Sequence, residues 1–459
     1  MSFRDLVNQL GYNPYYSLFK PTHTCKEALT AQDEVSVGGR LVFKRNMGKA
    51  SFINIQDKEG SIQVYLNEQG LPEGQYTILM NLCSLGDVLG VTGTIFTTKT
   101  GELSIKASNV LIVAKNNQPW PDKYHGIKTT ETKYRQRYLD LLTSEQSRSV
   151  FAARSIITST IRKHLEANKF QEVETPILHG SASGAAAEPF VTYHEALNLK
   201  LYLRIAPELY LKRLIVAGME RVYEINRNFR NEGLSTRHNP EFTMLECYQS
   251  YADYQDMMLL TKDLLCAACI SIHNSTEFTY KDMRYDMSKI ESRRLVDVIS
   301  SMAGLNPNNL DDLLGFCKSN DIDIPIAQDR SNLYRLQTLV FEHFEPTLLH
   351  PIFITDYPSI DSPLARVRQD DPNYCERFEL YIGGMEIANA YSELSDPELQ
   401  ASNLLLQGKH EAEYIDCLSY GMVPTGGLGI GIDRLVMLLT NSTSIREVVL
   451  FPTMKPIIN

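Results

Sequence analysis

The tightest constraint on the fold lies at residues 221–251, RVYEINRNFRNEGLSTRHNPEFTMLECYQSY, where two alternating runs flank a short polar loop. Side chains along a strand point to opposite faces with period two. Asn228, Arg230 and Glu232 then share one face of the first strand. Phe242, Met244, Glu246 and Tyr248 share one face of the second. Gathering such groups on one side of a hairpin is costly unless they pair or bind something. The pattern fits a structural ion-pair network or a polar ligand site, and spacing alone leaves both open.

The front of the chain alternates as well: VSVGGRLVFKR, ASFINIQD and SIQVYLN, then VLGVTGTIFTTKT and ELSIKASNVLIVA. DKEG and Thr100-Gly101 are turn signals between runs. Five short strands over residues 35–115 predict a small barrel of the OB type, with a generic β-sandwich as the alternative. Residues 116–125 are polar and Pro-containing and read as a connector, followed by a basic, aromatic helix at YRQRYLDLL. Thr143 to Gln146 has the form of a capping box. Ile157, Ile161 and Leu165 then repeat at i+4, which predicts a long helix ending near Asn168. FQEVETPIL reads as a strand broken by Pro176, and residues 280–345 as mostly helical. Antiparallel strands with helices packed on one side make the class α+β. The expected organisation is an arm at 1–34, the barrel at 35–115, a linker at 116–142 and a second domain at 143–459.

Composition excludes some classes. The 459 residues are 43% hydrophobic and 22% charged, which suits a folded core. No apolar run approaches the roughly 18–20 residues that span a bilayer, and MSFRDLVNQLGYNPYY lacks a secretory core. A cytoplasmic protein without a membrane partner is expected. Cys266 and Cys269 sit in an apolar helical stretch and read as buried thiols rather than a zinc pair. Net charge is −10, yet residues 35–115 carry eight Lys/Arg against six Asp/Glu. A phosphate backbone would be met first at that module.

Two further segments carry chemistry. In CERFELYIGGMEIANAYSELSD, residues 375–396, Gly383-Gly384 is a turn flanked by Glu379 and Glu386. Two carboxylates near phosphates suit Mg²⁺, which takes oxygen ligands. Asn389, Tyr391 and Glu393 share a face, but Glu386 is out of phase with Asn389, so a bulge is required. In PTGGLGIGIDRLVML, Gly426, Gly427, Gly429 and Gly431 allow close approach of backbone, and Arg434 opens a helix. Neither a dinucleotide fingerprint nor a phosphate-binding P-loop is present.

FRNEG…RHNPEFT and GIGIDRLVML resemble motifs 2 and 3 of class II aminoacyl-tRNA synthetases, and the helix with VETPIL resembles motif 1. YRQRYLDLL, LRIAPELYLKRL, YEINRNFRNEG, EIANAYSEL and LFPTMKP resemble the lysyl-tRNA synthetase family of subclass IIb, over roughly residues 35–459. That resemblance implies an enzyme that activates L-lysine with ATP and loads it onto lysine tRNA. It implies Arg230 and Arg434 as catalytic residues. Glu232, His238, Asn239, Phe242 and Glu379 would join them around ATP, with Phe242 stacked on adenine and Arg434 over its other face. Glu379 and Glu386 would hold Mg²⁺. Gly184 and Glu208 would take the α-amino group of lysine, and Glu246, Tyr248 and Glu393 its ε-ammonium, beside Asn389 and Tyr391. Phe52, Gln63 and Glu102 would read the anticodon. Motif 1 implies a homodimer.

The chain departs from the family pattern at Glu188, where Arg or Lys is usual, at Ser183 in place of Gly, and in a short segment at 399–414. Three rival readings make different demands. An aspartyl or asparaginyl enzyme needs a basic side-chain pocket. A protein-lysylating paralogue lacks the barrel. A non-catalytic tRNA-binding protein would be expected to have lost the motif arginines or metal carboxylates.

Overall fold

A computed structural model describes residues 3–13, 19–121, 127, 129–181, 187–324 and 332–457. The chain forms two compact units, 1–125 and 126–459. Among the described residues no helix is long and apolar enough to cross a membrane.

The first unit is a closed barrel of β1 (Val35–Asn46), β2 (Ala50–Gln56), β3 (Ser61–Asn67), β4 (Val88–Thr97) and β5 (Leu103–Ala114), in the order β1-β2-β3-β5-β4. Inward residues such as Val37, Leu41, Ile53, Ile55 and Val64 are buried, and their neighbours are not, as alternation requires. The helix Gln75–Leu82, which periodicity did not announce, connects β3 to β4 and buries Tyr76, Leu79 and Leu82. Gly93 sits at a register shift between β4 and β5, where a Cβ would strike the Lys106 carbonyl. In the arm, Cys25 and Ala28 of the helix Cys25–Ala28 belong to the barrel core.

The second unit contains β6 (Gln171–Glu172), β7 (Leu178–His179), β8 (Val191–His194), β9 (Leu199–Leu203), β10 (Arg221–Phe229) and β11 (Glu241–Ser250). It continues with β12 (Glu277–Tyr280), β13 (Met283–Asp286), β14 (Glu291–Arg294), β15 (Ile352–Thr355), β16 (Arg377–Ile382), β17 (Met385–Ser392) and β18 (Thr425–Gly431). Eight of these form one sheet in the order β14-β15-β16-β17-β18-β11-β10-β6, antiparallel except at its two edges. Leu245, Cys247, Ala390, Leu428 and Ile430 share a core with Ile157, Ile161 and Leu165 of the helix Glu145–Ala167 and with Leu264, Leu265 and Ala268 of the helix Tyr254–His273. Cys269 is buried there and Cys266 is partly covered. The opposite face of the sheet carries the polar residues.

Local details correct the sequence reading. The long helix is capped by Ser144, whose hydroxyl accepts from the Ser147 amide, and not by Thr143, which ends the preceding helix Arg137–Thr143. Strand β10 stops at Phe229, so Arg230 and Glu232 leave the sheet beyond it and do not continue the face of Asn228. Within 116–142, the helices Thr130–Arg135 and Arg137–Thr143 are ordered, and buried Arg137 donates to the carbonyls of Arg446 and Leu450 and to Asp140. Residues 277–294 contribute three strands before the helices that follow.

Candidate active site

A cavity of about 480 Å³ opens on the polar face of the eight-stranded sheet. It is within the usual range for small-molecule sites. Its floor is made by three adjacent strands. Tyr248 faces Gly427, Glu246 faces Gly429 and Met244 faces Gly431 across β11 and β18. On the other side of β18, Tyr391 faces Gly427 and Asn389 faces Gly429. The glycines leave the floor low. A Cβ on Gly427 would strike Glu393 Oε1 and come within 2.6 Å of the Tyr248 ring. The glycine-rich run thus serves packing of side chains over a strand rather than a phosphate loop.

One end of the cavity is acidic. Glu208 opens the helix Glu208–Val216, Glu246 lies on β11, and Glu393 follows β17; all three are buried. Tyr248 donates to Glu246 Oε2 at 3.1 Å, and Tyr391 donates to Glu208 Oε1 at 2.6 Å. Burial, then repulsion from Glu208, pushes the Glu246 carboxyl up to about 8. Burial also pushes Glu393 well above the usual carboxylate range, against the pull of Lys212. Glu393 Oε1 is buried and has no hydrogen-bond partner. A carboxylate oxygen in that state at a cavity wall calls for a cation.

The other end is basic. Arg230 lies with its guanidinium 5.1 Å from the centre of the Phe242 ring, on the face expected to receive a base. Arg434 opens the helix Ile432–Leu439 and donates to the Glu386 carbonyl at 2.7 Å and to Glu386 Oε2 at 3.2 Å. It also lies 3.0 Å from His238 Nε2. Partial burial, then Arg434, lowers the His238 pKa. Asn239 is buried and donates to the Glu241 carbonyl at 2.6 Å. Buried Asp433 accepts from the Thr243 amide at 2.7 Å and from Arg154 at 2.5 Å, and so sets where Arg434 starts.

The required bulge is present: Leu380 pairs with Ala388 but Tyr381 pairs with Glu386, so the extra residue Ile387 puts Glu386 on the cavity wall. Glu379 stands behind that wall. Its Oε1 accepts from Arg377 at 2.5 Å and from Asn389 at 3.3 Å, and its Oε2 accepts from Tyr357 at 2.9 Å and Tyr381 at 2.5 Å. Burial, opposed by Arg377 and reinforced by Glu386, raises its pKa. Divalent cations such as Mg²⁺ take oxygen ligands; Glu386 stands on the cavity wall, whereas both oxygens of Glu379 already accept from protein donors.

Glu208, Arg230, Glu232, His238, Asn239, Phe242, Glu246, Tyr248, Glu386, Asn389, Tyr391, Glu393 and Arg434 all line this one cavity, and Glu379 does not. Gly184 and Ser183 lie outside the described residues. Glu188 is not in the lining; its carbonyl accepts from the Asn231 amide at 2.8 Å. Sequence reasoning missed Arg377, Tyr357, Tyr381 and Lys212, whose roles come from contacts across the sheet.

The barrel carries a second polar and aromatic face. The Phe52 and Tyr65 rings are 5.2 Å apart, and Tyr65 and Phe96 5.8 Å. Beside them Gln63 donates to Glu102 at 2.8 Å and accepts from the buried Ser104 hydroxyl at 2.8 Å. Ser104 therefore fixes which way the Gln63 amide points. Aromatic rings next to an oriented amide are the groups that read single-stranded bases. Tyr65, Phe96 and Ser104 were not singled out from the sequence.

Comparison with known proteins agrees with both units. Residues 35–113 match the OB-fold nucleic acid binding domain. Residues 129–455 match tRNA synthetases class II (D, K and N). A lysine–tRNA ligase of Carboxydothermus hydrogenoformans is 46% identical over 98% of this chain and 96% of its own length. One from Azoarcus sp. is 48% identical over 94% and 89%, and one from Shouchella clausii is 44% identical over 98% and 95%. The match over residues 129–455, with relatives 44–48% identical over 94–98% of the chain, makes this chain a member of the class II tRNA synthetases of the D, K and N type.

Proposed function

We propose that this protein activates L-lysine with ATP, forming lysyl-adenylate and pyrophosphate, and then transfers lysine to the 3′ end of lysine tRNA. The observation that carries the substrate is the acidic end of the cavity: three buried carboxylates, one with an unpartnered oxygen, where an aspartyl or asparaginyl enzyme needs positive charge. In this reading Glu246, Tyr248 and Glu393 hold the ε-ammonium. Glu208, with Gly184, holds the α-amino group, and Asn389 and Tyr391 complete the wall. The lysine carboxylate attacks the α-phosphate and pyrophosphate leaves. No protein nucleophile is needed, so catalysis is positioning and charge neutralisation.

Arg230 suits that neutralisation, because a guanidinium is always charged and recognises oxygen pairs. Its guanidinium leaves Phe242 when the base stacks there, and Arg434 covers the other face of the base. Glu232, His238 and Asn239 contact the nucleotide. Glu379 and Glu386 would hold Mg²⁺, which when bound neutralises phosphate charge. Arg377, Tyr357 and Tyr381 orient Glu379.

Phe52 stacks on an anticodon base, and Gln63 and Glu102 read its edge. The functional boundaries are the arm 1–34, the barrel 35–115, the connector 116–142 and the catalytic domain 143–459. Exposed Ile177, Leu178, Val191 and Leu197 around β7, β8 and β9 support a homodimer that covers them. The workplace implied by a tRNA substrate is the cytoplasm. The test is charging of lysine tRNA with labelled lysine in the presence of ATP and Mg²⁺. Charging of lysine tRNA is expected; loading of an aspartate or asparagine tRNA with its own amino acid instead would overturn the reading.

A further inference from the structure

Lys212 is wholly buried one turn along the helix from Glu208, with its Nζ 2.6 Å from Glu208 Oε1 and also paired to Glu393. From the sequence it is one residue of LYLKRL, and none of the roles above uses it. Its surroundings are unusual for a lysine. The Tyr391 ring centre lies 5.5 Å from Nζ on the β17 side. From the helix Ala412–Leu418, Tyr414 adds a buried hydroxyl without a hydrogen-bond partner. Burial works against the ammonium's charge, but Glu208 and Glu393 outweigh it and hold Lys212 charged.

The charges in the pocket then count in a particular way. Glu208, Glu246 and Glu393 are three potential negative charges, and Lys212 is one fixed positive charge among them. Once lysine displaces the protons held by Glu246 and Glu393, two negative charges remain, the number needed for the two ammonium groups of lysine. The carboxylate of lysine is left for Arg230. We propose that Lys212 is a positioning residue of the amino-acid site: a resident cation that ties Glu208 to Glu393, sets the distance between the two ammonium subsites, and leaves the pocket with charge for one diammonium substrate of lysine's length. This rests on the lysine reading above and extends it to discrimination among diamino acids.

Two consequences separate this role from simple core packing. Without the tether, Glu393 and Glu208 repel each other directly and the two ammonium subsites lose their fixed spacing, so lysine binds more weakly. The carboxylates are also free to shift toward a shorter diamine, so ornithine competes better. The other charged groups facing this cluster include Arg230 and the Arg204-paired Glu224 beyond Glu246, Arg377 beyond Tyr391, and Lys409 near Glu208. Arg230 and Arg377 keep their own partners or ligands, and Lys409, which also lines the cavity, interacts with Glu411 before Glu208.

The experiment compares wild type with Lys212→Gln and Lys212→Met in ATP–pyrophosphate exchange. The lysine KM is expected to rise by about a hundredfold while the ATP KM moves by less than about threefold. The ratio of kcat/KM for lysine over ornithine is expected to fall by about tenfold or more. An unchanged lysine-to-ornithine ratio would overturn the proposal. Should the single variants not fold, Lys212→Met combined with Glu208→Gln removes a cation and an anion together and is expected to restore folding. A double variant that stays unfolded would assign Lys212 to packing and overturn it also. A wild-type protein with no lysine-dependent exchange would sink the underlying reading instead, and that outcome is seen before any variant is made.

Discussion

The catalytic cavity and the barrel face meet their ligands in opposite ways. The cavity holds buried, mutually constrained charges: Glu208, Lys212 and Glu393 in one group, Arg377 and Glu379 in another. The barrel face offers partly exposed rings and one oriented amide, with the charge of Glu102 at its edge. A buried charge that loses its partner costs about 3–5 kcal/mol, whereas an exposed stacking contact contributes about 1–3 kcal/mol per base. Small changes should therefore abolish chemistry in the cavity and only weaken tRNA selection on the barrel.

The sharpest break of that contrast is Glu393→Gln. It removes the open carboxylate oxygen but leaves Lys212 its pair with Glu208. Lysine-dependent pyrophosphate exchange is expected to fall by about a thousandfold with the fold retained, as read by exchange kinetics and a thermal melt. Wild-type-like exchange in this variant would remove Glu393 from the lysine site. Arg230→Ala comes next. Loss of a preorganised charge at the reacting phosphate lowers kcat by about 10²–10³-fold, while lysine binding measured by calorimetry without ATP changes less.

On the barrel, Phe52→Ala is expected to lower kcat/KM for tRNA charging by about tenfold to a hundredfold and to leave pyrophosphate exchange untouched. A loss of exchange in that variant would mean that the two regions are not separate in function. Ser104→Ala frees the Gln63 amide and should give a smaller loss in the same assay, with reduced preference among anticodon bases.

The smallest effect is one of pH. Glu246 is held up to about 8 by burial and Glu208. Its protonated form cannot accept the ε-ammonium as an anion, so the lysine KM should fall by roughly 10–30-fold as pH rises from about 6.5 to 8.5 and then level off. Stability of the empty protein runs the other way: between the ordinary carboxylate pKa and about 8 the unfolded chain has lost this proton while folded Glu246 keeps it, so stability falls as pH rises through that window. Lysine offsets this, so its effect on Tm should be larger at pH 8.5 than at pH 6.5. An equal effect at both would place the titration elsewhere.

Alternation and turns made the barrel legible, because each strand's inward residues are encoded locally. Ile157, Ile161 and Leu165 announced the long helix for the same reason. The hairpin at 221–251 was visible as two strands, and seven of its expected site residues, with Glu208, Glu386, Asn389, Tyr391, Glu393 and Arg434, come together around one cavity. What stayed hidden depends on pairing through space. The bulge at Ile387 could be required but not located, since it is defined by register against β16. Lys212 looks like one more cation on an amphipathic helix until Glu393, 181 residues away, is brought against it. Tyr357 and Tyr381 read as core aromatics and differ only in that their hydroxyls meet Glu379. Ser104 is unremarkable until β3 lies beside β5.

The central claim is that buried negative charge selects the amino acid. It is tested most directly by ATP–pyrophosphate exchange with purified protein, offering lysine, norleucine, aspartate and asparagine in parallel. Exchange is expected with lysine and is expected to be weaker by about a hundredfold or more with norleucine, which has the chain without the ε-ammonium. Exchange with norleucine equal to that with lysine, or exchange driven by aspartate or asparagine, would contradict the account.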